Sequence, residues 1–335
     1  VVALGGHHGA CRHVIAAAPR THAHPLTGVL LILLAAAFFA AMDSTTRGLS
    51  QPDGPWAVPV LLILTLRYTV QAVVMALWLA PRGRAAFRSA YPRFQWLRGL
   101  LLLATSCCSF FAVRYMPVPE YTAINMLTPL LVTVLAGIFL HEHVSPLRWA
   151  LVFGGFAGAL IVIRPGSGTF GWVVALPLIG AAAYASFQVL TSRLSGAENP
   201  MTTHFWTGFV GSVVLWPVLV AAAVSQGPDA SLALLQRLPL GGWLLMGFIG
   251  LLGTTGHLFL ILALGKARTA TLMPFQYSQI AFAALFGFVV FDRLPDGWAW
   301  AGMAVIAACG TASVALNLKR PGASTPTAAA DVLPE

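Results

Sequence analysis

The side chains in this sequence best suited to chemistry are polar groups set inside long apolar runs. Arg67 falls in the middle of one run and Asp43 late in the run before it. An arginine at the centre of a bilayer costs about 2.5–3.5 kcal/mol on insertion scales, so it requires a cavity or a partner. Asp43 is the nearest acidic candidate, as a structural partner, as a group for proton coupling, or as both. Glu120, at the start of a later run, is the second acidic candidate, held by headgroup water or by the positive end of a helix.

Softer signals lie at helical spacing. Arg67 and Gln71, Tyr121 and Asn125, and Tyr184 and Gln188 each share one helix face. His204 and Trp206 open one apolar run, His257 lies within another, and Pro274, Gln276 and Tyr277 interrupt a third. Unpaired amides are costly in hydrocarbon, so these faces turn inward, as helix-to-helix hydrogen bonds or as ligands for a solute. The binding candidates are therefore Arg67, Gln71, Tyr121, Asn125, Tyr184, Gln188, Trp206, His257, Gln276 and Tyr277. Together they describe a cavity with aromatic walls, amide groups, one fixed positive charge and few carboxylates. It suits a heteroaromatic or zwitterionic solute better than a dication or a sugar phosphate.

Signatures of catalysis are missing. His141, Glu142 and His143 lack the HExxH spacing that places two metal ligands on one helix face. No GxSxG, no P-loop and no GxGxxG between a strand and a helix occurs. Cys11, Cys107, Cys108 and Cys309 form no CxxC pair, so neither a metal site nor a disulfide framework is expected. The sequence reads as a protein that is not an enzyme and carries no cofactor.

The elements that position these residues follow from composition. Hydrophobic residues make up 58% of the chain and charged residues 9%, against about 25% charged in ordinary soluble domains. Most of this surface therefore meets lipid. The net charge of +9 comes from scattered basic residues with no aromatic-interleaved stripe, which excludes nucleic acid as a partner.

A bilayer core of about 30 Å takes about 20 helical residues. Cutting the chain at Pro, Gly and charge gives ten spans: 27–47, 57–80, 94–113, 117–140, 146–164, 171–194, 201–224, 239–264, 268–291 and 297–317. Residues 1–25 and 318–335 read as disordered tails. Arg82, Arg84, Arg88, Arg93, Arg98, Arg148, Arg193, Lys266 and Arg268 fall on one side, whereas only Arg47, Arg114, Arg164, Arg237 and Arg293 fall on the other. Basic residues are retained in the cytoplasm, so both termini are expected there, in the cell inner membrane.

The chain repeats itself weakly. With residue 100 laid on residue 250, Gly137 meets Gly287 and Glu142 meets Asp292; with a one-residue slip Trp149 meets Trp300. Each half holds five spans, and five is odd, so the second half enters the bilayer inverted. Two inverted halves around a midplane site characterise secondary transporters. Paired glycines, Gly154 with Gly158, Gly208 with Gly211, and the series Gly250, Gly253 and Gly256, read as close helix contacts.

Residues 114–166, RYMPVPEYTAINMLTPLLVTVLAGIFLHEHVSPLRWALVFGGFAGALIVIRPG, resemble the second part of an EamA domain of the drug/metabolite transporter superfamily. Residues 265–310, GKARTATLMPFQYSQIAFAALFGFVVFDRLPDGWAWAGMAVIAACG, resemble its second copy. The resemblance implies an all-α membrane protein of ten transmembrane helices in two inverted five-helix repeats, over 27–166 and 171–317. It departs from the usual motif at His141, Glu142 and His143, and at Asp292 and Arg293, all in loops. The implied activity is secondary transport of a small metabolite, with riboflavin, S-adenosylmethionine and amino acids as candidates and a proton as a possible coupling ion. A non-transporting membrane sensor or scaffold, and an intramembrane enzyme, are the alternatives. Oligomeric state stays open.

Overall fold

The computed structural model describes residues 25–50, 56–115, 125, 127–140, 144–163, 175–226, 236–291 and 297–318. Among them the chain is helical throughout, with no strand. The helices are α1 (Pro25–Ser50), α2 (Val60–Leu79), α3 (Pro92–Tyr115), α4 (Thr128–Phe139), α5 (Pro146–Ile163), α6 (Ala175–Leu194), α7 (Pro200–Gln226), α8 (Leu240–Lys266), α9 (Thr269–Gln276), α10 (Ser278–Phe291) and α11 (Gly297–Leu318). Six helical segments among the described residues are long and apolar enough to cross a membrane.

Proline punctuates the elements as its chemistry requires. Pro92, Pro146 and Pro200 occupy first helical positions, where a missing N–H costs nothing. Pro274 instead lies inside α9, and the helix breaks at Tyr277 before α10 resumes. That break turns Gln276 and Tyr277 toward different surroundings.

The exposed side chains are those of a lipid-facing surface: Leu30, Leu77, Val224, Leu240, Val289 and Trp298 are all more than 60% exposed. The core lies between helices distant in sequence. α1 packs on α8, and α3 packs on α6; α2 packs on α7, and α5 on α11. α3 also meets α7, as α8 meets α2, and α4 meets α6 as α1 meets α9 and α10. Glycines permit the closest approaches. Gly211 of α7 lies against the ring of Tyr68 with no room for a methyl group, and Gly253 of α8 abuts Met42 and Arg67.

Candidate functional site

A pocket of about 250 Å³, mouth included, opens between α1, α6, α8, α9 and α10. Ile32, Ala35, Ala36 and Phe39 form its apolar wall on α1, and Leu260 extends that wall from α8. Tyr184, Gln276 and Gln279 supply the polar side. The small Ala35 and Ala36 leave space between the larger Ile32 and Phe39 on the same helix.

The polar side is cross-braced. Gln188 and Gln276 exchange amide hydrogen bonds at 3.3 Å and 2.5 Å, tying α6 to α9. Gln279 donates to the Asp43 carboxylate at 3.2 Å, tying α10 to α1. Asp43 is exposed. Asp43, Arg67 and Tyr68 are the polar groups within electrostatic reach of the Tyr184 hydroxyl.

Arg67 of α2 reaches Met42, which lies one helical turn along α1 from the Phe39 wall. Its Nη1 donates to the Met42 sulfur at 3.6 Å, and its guanidinium lies 4.7 Å from the Tyr68 ring centroid. Sulfur is a weak acceptor. Among the described residues, Nε and Nη2 of Arg67 have no hydrogen-bond partner although the side chain is 9% exposed. Asp43 and Arg67 interact electrostatically but form no ion pair, and the carboxylate accepts from Gln279.

His257 stands one turn beyond Gly253 on α8, between the rings of Phe39 at 4.7 Å and Phe187 at 6.2 Å. Both of its ring nitrogens are buried without a partner among the described residues. Gln71, one turn on from Arg67, donates to Nδ1 and to the carbonyl of His204, each at 3.2 Å. The His204 ring also meets the Thr254 backbone of α8 in a hydrogen bond.

A second polar cluster lies where α3, α6 and α7 meet, and it is fully connected. Arg98, entirely buried, donates through Nε to Gln95 at 3.4 Å, through Nη1 to Thr191 at 3.4 Å, and through Nη2 to the Thr203 carbonyl at 2.7 Å and to Thr207. Glu198 accepts from Gln95 at 2.8 Å, from Ser89 at 2.7 Å and from the Tyr91 backbone at 3.1 Å. Thr202 and Trp206 donate to the carbonyls of Ala86 and Phe87, at 2.8 Å and 3.1 Å. This cluster bolts the α2–α3 connection to the start of α7 and closes that end of the molecule.

Of the predicted residues, Tyr184 and Gln276 line the pocket; Gln188 and Asp43 are hydrogen-bonded to its lining residues Gln276 and Gln279, His257 packs on Phe39, and Arg67 contacts Met42, with Gln71 one turn further along α2. Trp206 is placed elsewhere, at the closed end among Trp96 and Phe209. Tyr277 packs with Ile280 and Ile306, against Gly155. Asn125 is half-buried. Tyr121, Glu120, His141, Glu142, His143, Asp292 and Arg293 lie outside the described residues. Sequence reasoning missed Gln279, Phe39 and the Arg98 cluster; Gln95 with Arg98, and Thr203 with Thr207, lie at the three- and four-residue spacing that signals one polar face.

The model of the EamA-like transporter family matches residues 26–164 and again 171–315. A riboflavin transporter of Rhizobium johnstonii is 29% identical over 84% of this chain and 88% of its own. A riboflavin transporter of Vibrio cholerae is 27% identical over 84% of this chain and 91% of its own. An S-adenosylmethionine uptake transporter of Rickettsia felis is 24% identical, over 81% and 86% respectively. A solved protein crystal structure superposes with a TM-score of 0.64 at 19% identity, over 89% of this chain and 98% of that one, a likeness of fold alone.

Proposed function

The chain belongs to the EamA-like transporter family and is a membrane transporter of a small metabolite rather than an enzyme; from that premise we propose that its solute is a neutral heteroaromatic compound, with riboflavin the leading candidate. The observation that carries this reading is the pocket itself. One wall is apolar and aromatic, the other is amide and hydroxyl, and Asp43 is its nearest carboxylate. A planar ring system with a polar edge matches such a pair of walls, and relatives named as riboflavin transporters resemble this chain over most of its length. A sulfonium cation such as S-adenosylmethionine is the second reading, favoured only by Asp43 and by the Rickettsia relative.

Ten transmembrane helices in two inverted five-helix halves, 27–166 and 171–317, are part of the proposal. What supports the division is that the helix contacts keep their pattern when the halves are exchanged: α1 on α8 corresponds to α3 on α6, and α8 on α2 to α3 on α7. Rocking of two such halves about a central site exposes the pocket alternately to either side. We place the chain in the cell inner membrane with both termini cytoplasmic, on the distribution of Lys and Arg. Asp43, exposed at the pocket's edge, is the carboxylate proposed for proton coupling.

Radiolabelled riboflavin counterflow in proteoliposomes tests the reading. Saturable exchange that S-adenosylmethionine does not inhibit is the expected result, and exchange of S-adenosylmethionine without riboflavin would replace it with the second. Loss of gradient-driven accumulation with retained counterflow in Asp43→Asn is expected from proton coupling; unaltered accumulation removes Asp43 from that role.

A further inference from the structure

Among the described residues, four buried nitrogens lack partners in one region: two on Arg67 and two on His257. Buried polar groups are ordinarily satisfied, and each exception calls for a physical cause. In a bilayer the cost rises, because no water replaces the missing partner. On Arg67 the pattern is specific. Nε and Nη2 form one edge of the guanidinium, with two parallel N–H groups, and this is the edge left open while Nη1 is turned to Met42. Gly253 holds the side chain in place, since even a methyl there would lie 3.3 Å from the arginine Cδ and 3.0 Å from the Met42 sulfur.

Arg67 and His257 belong to successive layers of one groove. Met42 and Phe39 are neighbouring turns of α1, and Gly253 and His257 are neighbouring turns of α8; the first of each pair touches Arg67, and Phe39 stacks edge-on with His257. Phe39 is also a wall of the pocket, so the Arg67 layer of the groove lies one turn of α1 away from that wall, at Met42.

We infer that the open Nε–Nη2 edge of Arg67 is the recognition group for the solute and grips a planar edge carrying two hydrogen-bond acceptors side by side. The inference rests on the transport reading above and names the chemical group that reading requires. Two sources offer such an edge: a carboxylate, and a carbonyl oxygen beside a ring nitrogen, which a flavin presents twice. The second is favoured here. Asp43 already acts on Arg67 electrostatically, so a second negative charge gains less and meets repulsion from Asp43. The flanking rings of Phe39, Tyr68 and His257 suit a flat ring better than a small ion.

The test uses the full-length chain in lipid nanodiscs and fluorescence titration with riboflavin, 1-deazariboflavin and 5-deazariboflavin. Each analogue lacks one ring-nitrogen acceptor. One of them is expected to bind about tenfold more weakly than riboflavin to the wild type. The difference should shrink to about twofold or less in Arg67→Lys, which keeps the charge but has no paired donors. An equal penalty in both proteins, or none for either analogue in the wild type, overturns the inference. Where Arg67→Lys fails to fold, Gly253→Ala displaces the guanidinium with its charge intact and is read in the same way. If riboflavin does not bind at all, S-adenosylmethionine is compared with its carboxyl methyl ester. Discrimination that disappears in Arg67→Lys then keeps the two-acceptor edge and discards the flavin; discrimination that persists discards both.

Discussion

Two arginines are buried among the described residues, and their surroundings differ sharply. Arg98 uses all three guanidinium nitrogens on Gln95, Thr191, Thr203 and Thr207, with Glu198 close by. Arg67 turns one nitrogen to a sulfur and leaves the other two open. A satisfied buried charge has nothing left to offer a passing solute. An unsatisfied one is maintained at a cost that a hydrogen-bond partner would relieve. The Arg98 cluster therefore fastens α3 to α6 and α7, and Arg67 is the arginine we propose for the solute.

Substitutions that sharpen this contrast are expected to differ in kind as well as in size. Arg98→Ala should be the most damaging to the fold: it strands Gln95, Thr207 and Glu198, and breaking a buried charged network of this sort costs about 3–5 kcal/mol. The check is the monodisperse fraction after purification, together with the thermal melt. Arg67→Ala should leave both measures near wild type and lower riboflavin counterflow about a hundredfold, the usual cost of removing one charged partner from a buried contact.

Smaller effects should follow the same division. Gln188→Leu strands the Gln276 amide and should cost about 1–3 kcal/mol, whereas Gln188→Leu with Gln276→Leu should recover most of that stability, since both partners are then apolar. Thermal melts of the two singles and the double measure the coupling. Trp206→Phe removes a hydrogen bond to Phe87 at the closed end and should leave half-saturation by riboflavin within about twofold, at a cost of about 1 kcal/mol in stability. A large rise in the half-saturating concentration would bring Trp206 back to the solute path.

How much of this was legible in the sequence varies by region. Arg67 stood out because nothing else in its span is charged, and helical spacing put Gln71 on its face and Gln188 on that of Tyr184. Arg98 did not stand out. It lies near the end of a span, where an arginine ordinarily reaches headgroup water, and the residues that bury it lie about a hundred positions away on α6 and α7, beyond any local pattern. Gln276 and Tyr277 were read together as neighbours in one interrupted helix. The break after Gln276 sends the glutamine to the pocket and the tyrosine to Gly155, and it sets the phase that brings Gln279 to Asp43. Asp43 feels the charge of Arg67 without forming an ion pair with it, and accepts a hydrogen bond from Gln279, which the sequence did not single out.

The contrast between the two arginines is tested most directly by the melting temperature of purified wild type and Arg67→Ala, each with and without saturating riboflavin. A ligand that binds only the folded state raises that temperature, by an amount that grows with the logarithm of its free concentration over Kd. The account predicts equal melting of the two ligand-free proteins, a clear riboflavin-dependent rise in the wild type, and no rise in Arg67→Ala. An Arg67→Ala protein that melts far below wild type without ligand, yet still gains stability from riboflavin, would contradict it and make Arg67 a second structural arginine.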